Sequence, residues 1–150
     1  MLRVGDPAPD FALPDEDGDP VRLKTLLAAG RVLLVFFPGV VSPASERHLG
    51  AIRDRHTELG AAGIEVLAVS PDDHDTHRQF RDRLGLDFPL LADVDRAVAA
   101  AYDATGLFGV GTRRGTFLID TSGRIVDRAR AEVRLQTHAA LVQRALKRRA

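Results

Sequence analysis

No cysteine occurs anywhere in the 150 residues. That excludes disulfides, thiolate metal sites and thiol chemistry by the chain as written. An excess of either charge is also missing. The 21 basic and 21 acidic side chains cancel, so no net field draws the protein toward nucleic acid or an anionic membrane. The basic stretch Lys147–Arg149 is short and reads as a solvated helix end. No apolar run approaches the roughly 20 residues of a membrane span, and the opening MLRVGDPAPDF lacks the apolar region of an export signal. These absences predict a cytoplasmic protein with no nucleic-acid and no membrane partner. A length of 150 residues, 45% of them hydrophobic, suffices for one core. No linker or repeat interrupts the chain, and a single domain over 1–150 is expected.

What is present is organised around Arg31–Glu46, RVLLVFFPGVVSPASE. Val32–Phe37 is an unbroken apolar run, short and rich in β-branched and aromatic residues, which reads as a strand buried on both faces. Pro38 ends it, because proline has no N–H for a ladder. Ser42, Pro43 and Ser45 then precede a helical period with Leu49, Ile52, His56 and Leu59, predicting a helix over 43–59. A strand, a tight loop and a helix N-terminus in succession aim free N–H groups and a positive dipole end at one small site. In α/β sheets such a loop lies where ligands bind. Any active pocket is placed here.

Along the rest of the chain, Phe11–Leu13 and Val21–Leu23 flank the turn cluster DEDGDP and predict an N-terminal β-hairpin. One helical turn over 24–29 stops at Gly30. Ile64–Val69 reads as a second buried strand, and Asp73–Leu84 as a helix with a thin apolar face of His77, Phe80 and Leu84, stopped by Gly85. Phe88–Leu91 is a short strand. Asp93 caps a helix to Tyr102, with Val94, Val98, Ala101 and Tyr102 on one face. Thr105–Gly111 is a loop. Thr116–Ile119 and Arg124–Asp127 form a hairpin, and Leu135–Lys147 a last helix with Leu135, Ala139, Val142 and Leu146 inward. Alternating βα units predict an α/β sheet with helices on both faces.

Other constellations carry less. Asp73, His74, Asp75 and His77 read as a solvated helix start rather than a metal site, so no metal and no cofactor are expected. Ser45 lacks the G-x-S-x-G elbow of a hydrolase nucleophile. GLFGVG at 106–111 follows no strand and is no dinucleotide fingerprint. From spacing alone, Ser42 and Ser45 are good helix N-caps, and Arg114 is a solvated strand-edge residue.

The segment FFPGVVSPASERHLGAIRD, residues 36–54, resembles the active-site segment of peroxiredoxins of the alkyl hydroperoxide reductase/thiol-specific antioxidant family, most of all the PrxQ, or bacterioferritin-comigratory, branch. That branch carries Pro-x-x-x-Thr/Ser-x-x-Cys, here Pro38, Ser42 and Ser45, followed by a stretch matched by Ile52-Arg53-Asp54. The family's opening G-x-x-A-P-D-F is present at Gly5–Phe11. Its R-x-[ST]-F-x-I-D is present at Arg114–Asp120. The matches run in order over residues 5–125. The resemblance implies a thioredoxin-like fold: a central mixed sheet flanked by helices, with an N-terminal β-hairpin. It also implies thiol-dependent reduction of hydrogen peroxide or organic hydroperoxides, an external thioredoxin-like thiol reductant, and a monomer or weak homodimer. In that frame Pro38 shields the reacting atom from water and Ser42 hydrogen-bonds a peroxide oxygen. Arg114 supplies fixed positive charge, and backbone N–H groups at 44–45 complete the cradle.

The chain departs from the pattern where the chemistry needs it most. Ser45 holds the peroxidatic cysteine position, and Gly50 the position at which many PrxQ-like members keep a second cysteine. A thiolate attacks the O–O bond because sulfur is soft and easily deprotonated, from a free pKa of about 8.5. A serine alkoxide is inaccessible near neutral pH, and oxygen cannot form the sulfenic ladder. The chain as written is therefore expected to be inactive as a peroxidase. Two origins account for Ser45: replacement of a parental cysteine by its near-isostere, or a natural cysteine-less relative with a binding or regulatory role. His48 stands where the branch often has an acidic residue. The family's longer insert between Tyr102 and Arg114 is shortened here.

Overall fold

A computed structural model of the chain describes residues 2–109, 111–131 and 134–148. The expected hairpin forms from β1 (Ala12–Pro14) and β2 (Pro20–Arg22), antiparallel, with Leu13 opposite Val21. Next come α1 (Leu23–Leu27), β3 (Arg31–Phe36), α2 (Pro43–Asp54), α3 (His56–Ala61), β4 (Ile64–Ser70), α4 (His74–Leu84) and β5 (Leu90–Ala92). The chain closes with α5 (Ala97–Ala101), a 3-10 turn at Leu107–Gly109, β6 (Gly115–Ile119), β7 (Ile125–Arg130) and α6 (Leu135–Lys147). Arg149 of the basic end lies outside the described residues.

The main sheet has five strands in the order β5-β4-β3-β6-β7. β3, β4 and β5 run parallel, while β6 is antiparallel to both β3 and β7, so the sheet is mixed. The central strand, β3, is buried at every residue. Because strand side chains alternate, it feeds two cores. Leu33, Val35 and Phe37 point into one with Leu49, Ile52, Leu59, Phe80, Leu141 and Val142. Val32, Leu34 and Phe36 point into the other with Phe11, Leu23, Leu27, Ala99 and Tyr102. The continuous apolar run of β3 is thus explained by helices on both faces.

Several element bounds differ from expectation, each for a local reason. The helix predicted over 43–59 breaks at Arg55 (φ −107°, ψ 4°), where the N–H reaches back only three residues to the Ile52 carbonyl. Asp93 does cap α5, its carboxylate accepting the Val98 and Ala99 N–H groups. The helix itself starts later, at Ala97, so Ala99 and Tyr102 are buried while Val94 and Ala101 are exposed. In α6 the bounds agree and the face does in part: His138, Leu141, Val142 and Ala145 are buried, with the expected Leu146 half-buried against the same core, while the expected Ala139 is exposed. Those four follow the i, i+3, i+4, i+7 period once histidine is admitted to the inner stripe. Asp73 caps α4 by accepting the Thr76 N–H at 2.8 Å, and Gly85 closes it in the left-handed conformation, φ 63°.

Arg31 opens β3 from a buried position. It donates to the Ala62 carbonyl at the end of α3 (2.8 Å) and to the Arg148 carbonyl at the end of α6 (2.9 Å). A guanidinium suits both ends, since helix C-termini carry unpaired carbonyls and negative dipole.

Candidate active site

The site forms where β3 stops. The Phe37 N–H still reaches the Val69 carbonyl at 3.0 Å, one step past the ladder, and half-buried Pro38 ends the pairing. Ser42 is the N-cap residue of α2 with Pro43 just inside the helix. Its carbonyl accepts the Ser45 N–H at 3.0 Å and the Glu46 N–H at 3.3 Å, but its hydroxyl makes no capping bond. That hydroxyl faces Arg114.

Arg114 arrives from the neighbouring strand. It precedes β6, whose Gly115 pairs with Phe36 at the end of β3, so the strand register itself brings the arginine beside the loop. Arg114 Nη2 donates to Ser45 Oγ at 3.0 Å and to Ser42 Oγ at a longer 3.4 Å. Nη1 donates to His48 Nδ1 at 3.2 Å. Ser45 and His48 lie three apart on α2 and so share a face. Apart from half-buried Ser42 this network is dry: relative exposure is 0% for Ser45 and 3% for both His48 and Arg114. Arg114 is therefore a buried residue of the pocket, not the solvated strand-edge residue that spacing alone predicts.

The electrostatics follow from the donor pattern. A guanidinium only donates, so His48 Nδ1 accepts and its proton sits on Nε2. Burial first, then the nearby His138 ring and the Arg114 charge, hold the His48 pKa down at about 3, and the ring is neutral. The His138 ring lies 4.7 Å from it, fixed between Thr116 Oγ1 and the Ala131 carbonyl, each at 2.8 Å. The structure thus brings Ser42, Ser45 and Arg114 together, with Pro38 four residues ahead of Ser42 on the loop. The Ser45 N–H is spent on the Ser42 carbonyl, so the expected pair of free N–H groups at 44–45 is not present.

Sequence reading missed His138 and Thr116 and treated His48 only as a difference in charge. The signal was the inner stripe of α6, which includes His138. A cavity of about 540 Å³ lies between α2 and α6, walled by His48, Ile52, His138 and Val142 among others. It shares His48 with the pocket, while Ser42, Ser45 and Arg114 stand outside its wall. His77, grouped above with a solvated helix start, is fully buried.

A fixed cation facing two hydroxyls in a water-poor recess can orient a small oxygen-bearing molecule and stabilise negative charge developing on it. It cannot by itself supply the electrons that a reduction needs. Residues 4–128 match the AhpC/TSA family model. The chain is 37% identical over 130 residues to peroxiredoxin Bcp of Escherichia coli, covering 83% of each chain. A peroxidoxin BcpB from Mycobacterium tuberculosis superposes with a TM-score of 0.90 at 31% identity, over 98% of this chain and 97% of that one. The bacterioferritin comigratory protein of Xanthomonas campestris gives 0.82 at 29% identity, over 91% and 90%. With its thioredoxin-like sheet and its family motifs in order, the chain belongs to the AhpC/TSA family of peroxiredoxins, and serine stands at its peroxidatic position.

Proposed function

We propose that the recess between Arg114 and the start of α2 is a hydroperoxide pocket in which Ser45 occupies the place of the reacting sulfur. The observation that carries this is the 3.0 Å hydrogen bond from Arg114 Nη2 to Ser45 Oγ, in a site with no exposed surface at residue 45. With a thiolate at 45, sulfur attacks one peroxide oxygen. The O–O bond breaks, sulfur is oxidised to sulfenic acid, and the second oxygen leaves as hydroxide or alkoxide to be protonated. Arg114 lowers the thiol pKa and stabilises charge on the leaving oxygen. Ser42 hydrogen-bonds the bound peroxide, and Pro38 shapes and dries the loop. A thioredoxin-like external thiol then reduces the sulfenic acid. The residues present require no cofactor for this.

This reading places a single domain, 1–150, in the cytoplasm, working as a monomer or weak homodimer. As written, with Ser45, the chain has no peroxidase turnover. Ser45→Cys tests the pocket: steady consumption of hydrogen peroxide or an organic hydroperoxide with a thioredoxin-type reductant is expected. No consumption beyond that of the cysteine-free chain contradicts it.

A further inference from the structure

The loop that carries Pro38 and leads to Ser42 is held from the adjacent strand by one carboxylate. Asp72, two residues past β4, accepts the Val40 N–H at 3.0 Å and the Ser70 hydroxyl at 2.9 Å, both on Oδ2. Ser70 Oγ lies 2.6 Å from His77 Nε2, and its other neighbour is the Asp72 N–H at 3.2 Å. One hydroxyl proton cannot serve both the carboxylate and the ring. Since Asp72 only accepts, the consistent arrangement is His77 Nε2–H to Ser70, and Ser70 O–H to Asp72. His77 Nδ1, buried without a partner, is then a bare acceptor rather than a stranded N–H, the less costly of the two. Ser70 and His77 are fully buried, so the clamp rests on a rigid base.

The loop is shaped to receive it. A Cβ at Gly39, which has φ +152°, would lie 3.3 Å from Asp72 Oδ2, so the bare backbone lets the carboxylate come close. The half-buried Val40 side chain packs into the α2-side core. Together these contacts extend the β3–β4 connection from the Phe37–Val69 bond to Val40. Val41 beyond it is 94% exposed, and Ser42 begins α2. Asp72 therefore grips the chain two residues before the first hydroxyl that meets Arg114.

We infer that Asp72, backed by Ser70 and His77, is a positioning residue of the pocket: its carboxylate fixes residues 39–40 so that positions 42 and 45 face Arg114. This rests on the hydroperoxide-pocket reading for its catalytic consequence, but not for its geometry. In the Ser45 chain, Asp72→Ala is expected to remove hydrogen-exchange protection of the Val40 amide and to shift the Arg114 side-chain N–H resonances. Asp72→Asn, which retains an acceptor oxygen, is expected to preserve both.

In the Ser45→Cys chain, Asp72→Ala is expected to slow peroxide reaction by about 10- to 100-fold, as for misplaced reacting groups. It should also raise the alkylation pKa of the thiol toward the free value of about 8.5, with Asp72→Asn near the parent in both. A merely structural role would lower the unfolding midpoint and leave the thiol pKa of the folded protein unchanged; that result overturns the inference. So does an unchanged Val40 amide in Asp72→Ala. Should Ser45→Cys itself prove inert, the pocket reading fails, and the amide and arginine resonances still decide whether Asp72 positions the loop.

Discussion

Arg114 donates to three side chains on one stretch of chain. Nη2 serves Ser45 and Ser42, and Nη1 serves His48. Lysine cannot reproduce this fork, because its ammonium is a point charge without two fixed donor directions. In the Ser45→Cys background, Arg114→Lys and Arg114→Gln are both expected to lower the second-order rate with hydrogen peroxide, by about 10²–10³-fold for the neutral variant. Retention of the full rate in Arg114→Gln would remove the arginine from the chemistry. The pairing of Ser45 with Arg114 was legible in the sequence only through family motifs, since the residues lie 69 positions apart and spacing links neither to the other. His48 was harder. A histidine three residues past Ser45 registers only as a change of local charge until the arginine is known to lie over it.

At the scale of elements, strands were more legible than helix ends and faces. The apolar run of β3 could hardly be anything but a two-faced strand. The break at Arg55 has no glycine or proline to announce it, and the inner face of α6 was only partly legible because a buried histidine occupies its stripe. Gly50 offers a test of packing. It lies within α2, where glycine costs about 1 kcal/mol against alanine. A Cβ there would meet only the flexible end of Arg53, at 3.7 Å. Gly50→Ala is expected to stabilise the fold by about 0.5–1 kcal/mol in urea denaturation; destabilisation would show that the buried side of α2 has no room for a methyl group at 50. Gly30 gives the opposite result. Its Cβ would stand 2.6 Å from the Gly63 carbonyl oxygen, which itself accepts the Arg31 N–H at 3.1 Å. Gly30→Ala is expected to cost about 1–3 kcal/mol by overpacking, measured the same way.

For the whole molecule, two histidines tie stability to pH. Burial pushes His48 down to about 3 and His77 to about 4, from an ordinary 6.5. Below pH 6.5 the unfolded chain takes up protons at these rings while the folded chain does not, so acid favours unfolding. Their contribution is complete above about pH 6.5 and is lost as pH falls toward about 4 for His77 and about 3 for His48, by up to about 1.4 kcal/mol per pH unit for each ring. Urea midpoints at pH 7, 6 and 5 are expected to fall steadily, and to fall less in His77→Gln than in the parent. Equal midpoints at pH 7 and 5 would contradict the burial of neutral rings.

The sheet order, the loop clamp and the arginine converge on one position, and the most direct measurement addresses it. Ser45→Cys, fully reduced, is mixed with hydrogen peroxide, and loss of the thiol is followed over a single turnover at neutral pH. The account predicts reaction at least about 100-fold faster than that of an unactivated thiol with a pKa of about 8.5, with this acceleration lost in the Arg114→Gln partner. Reaction at the rate of a free thiol, with or without Arg114, would contradict it.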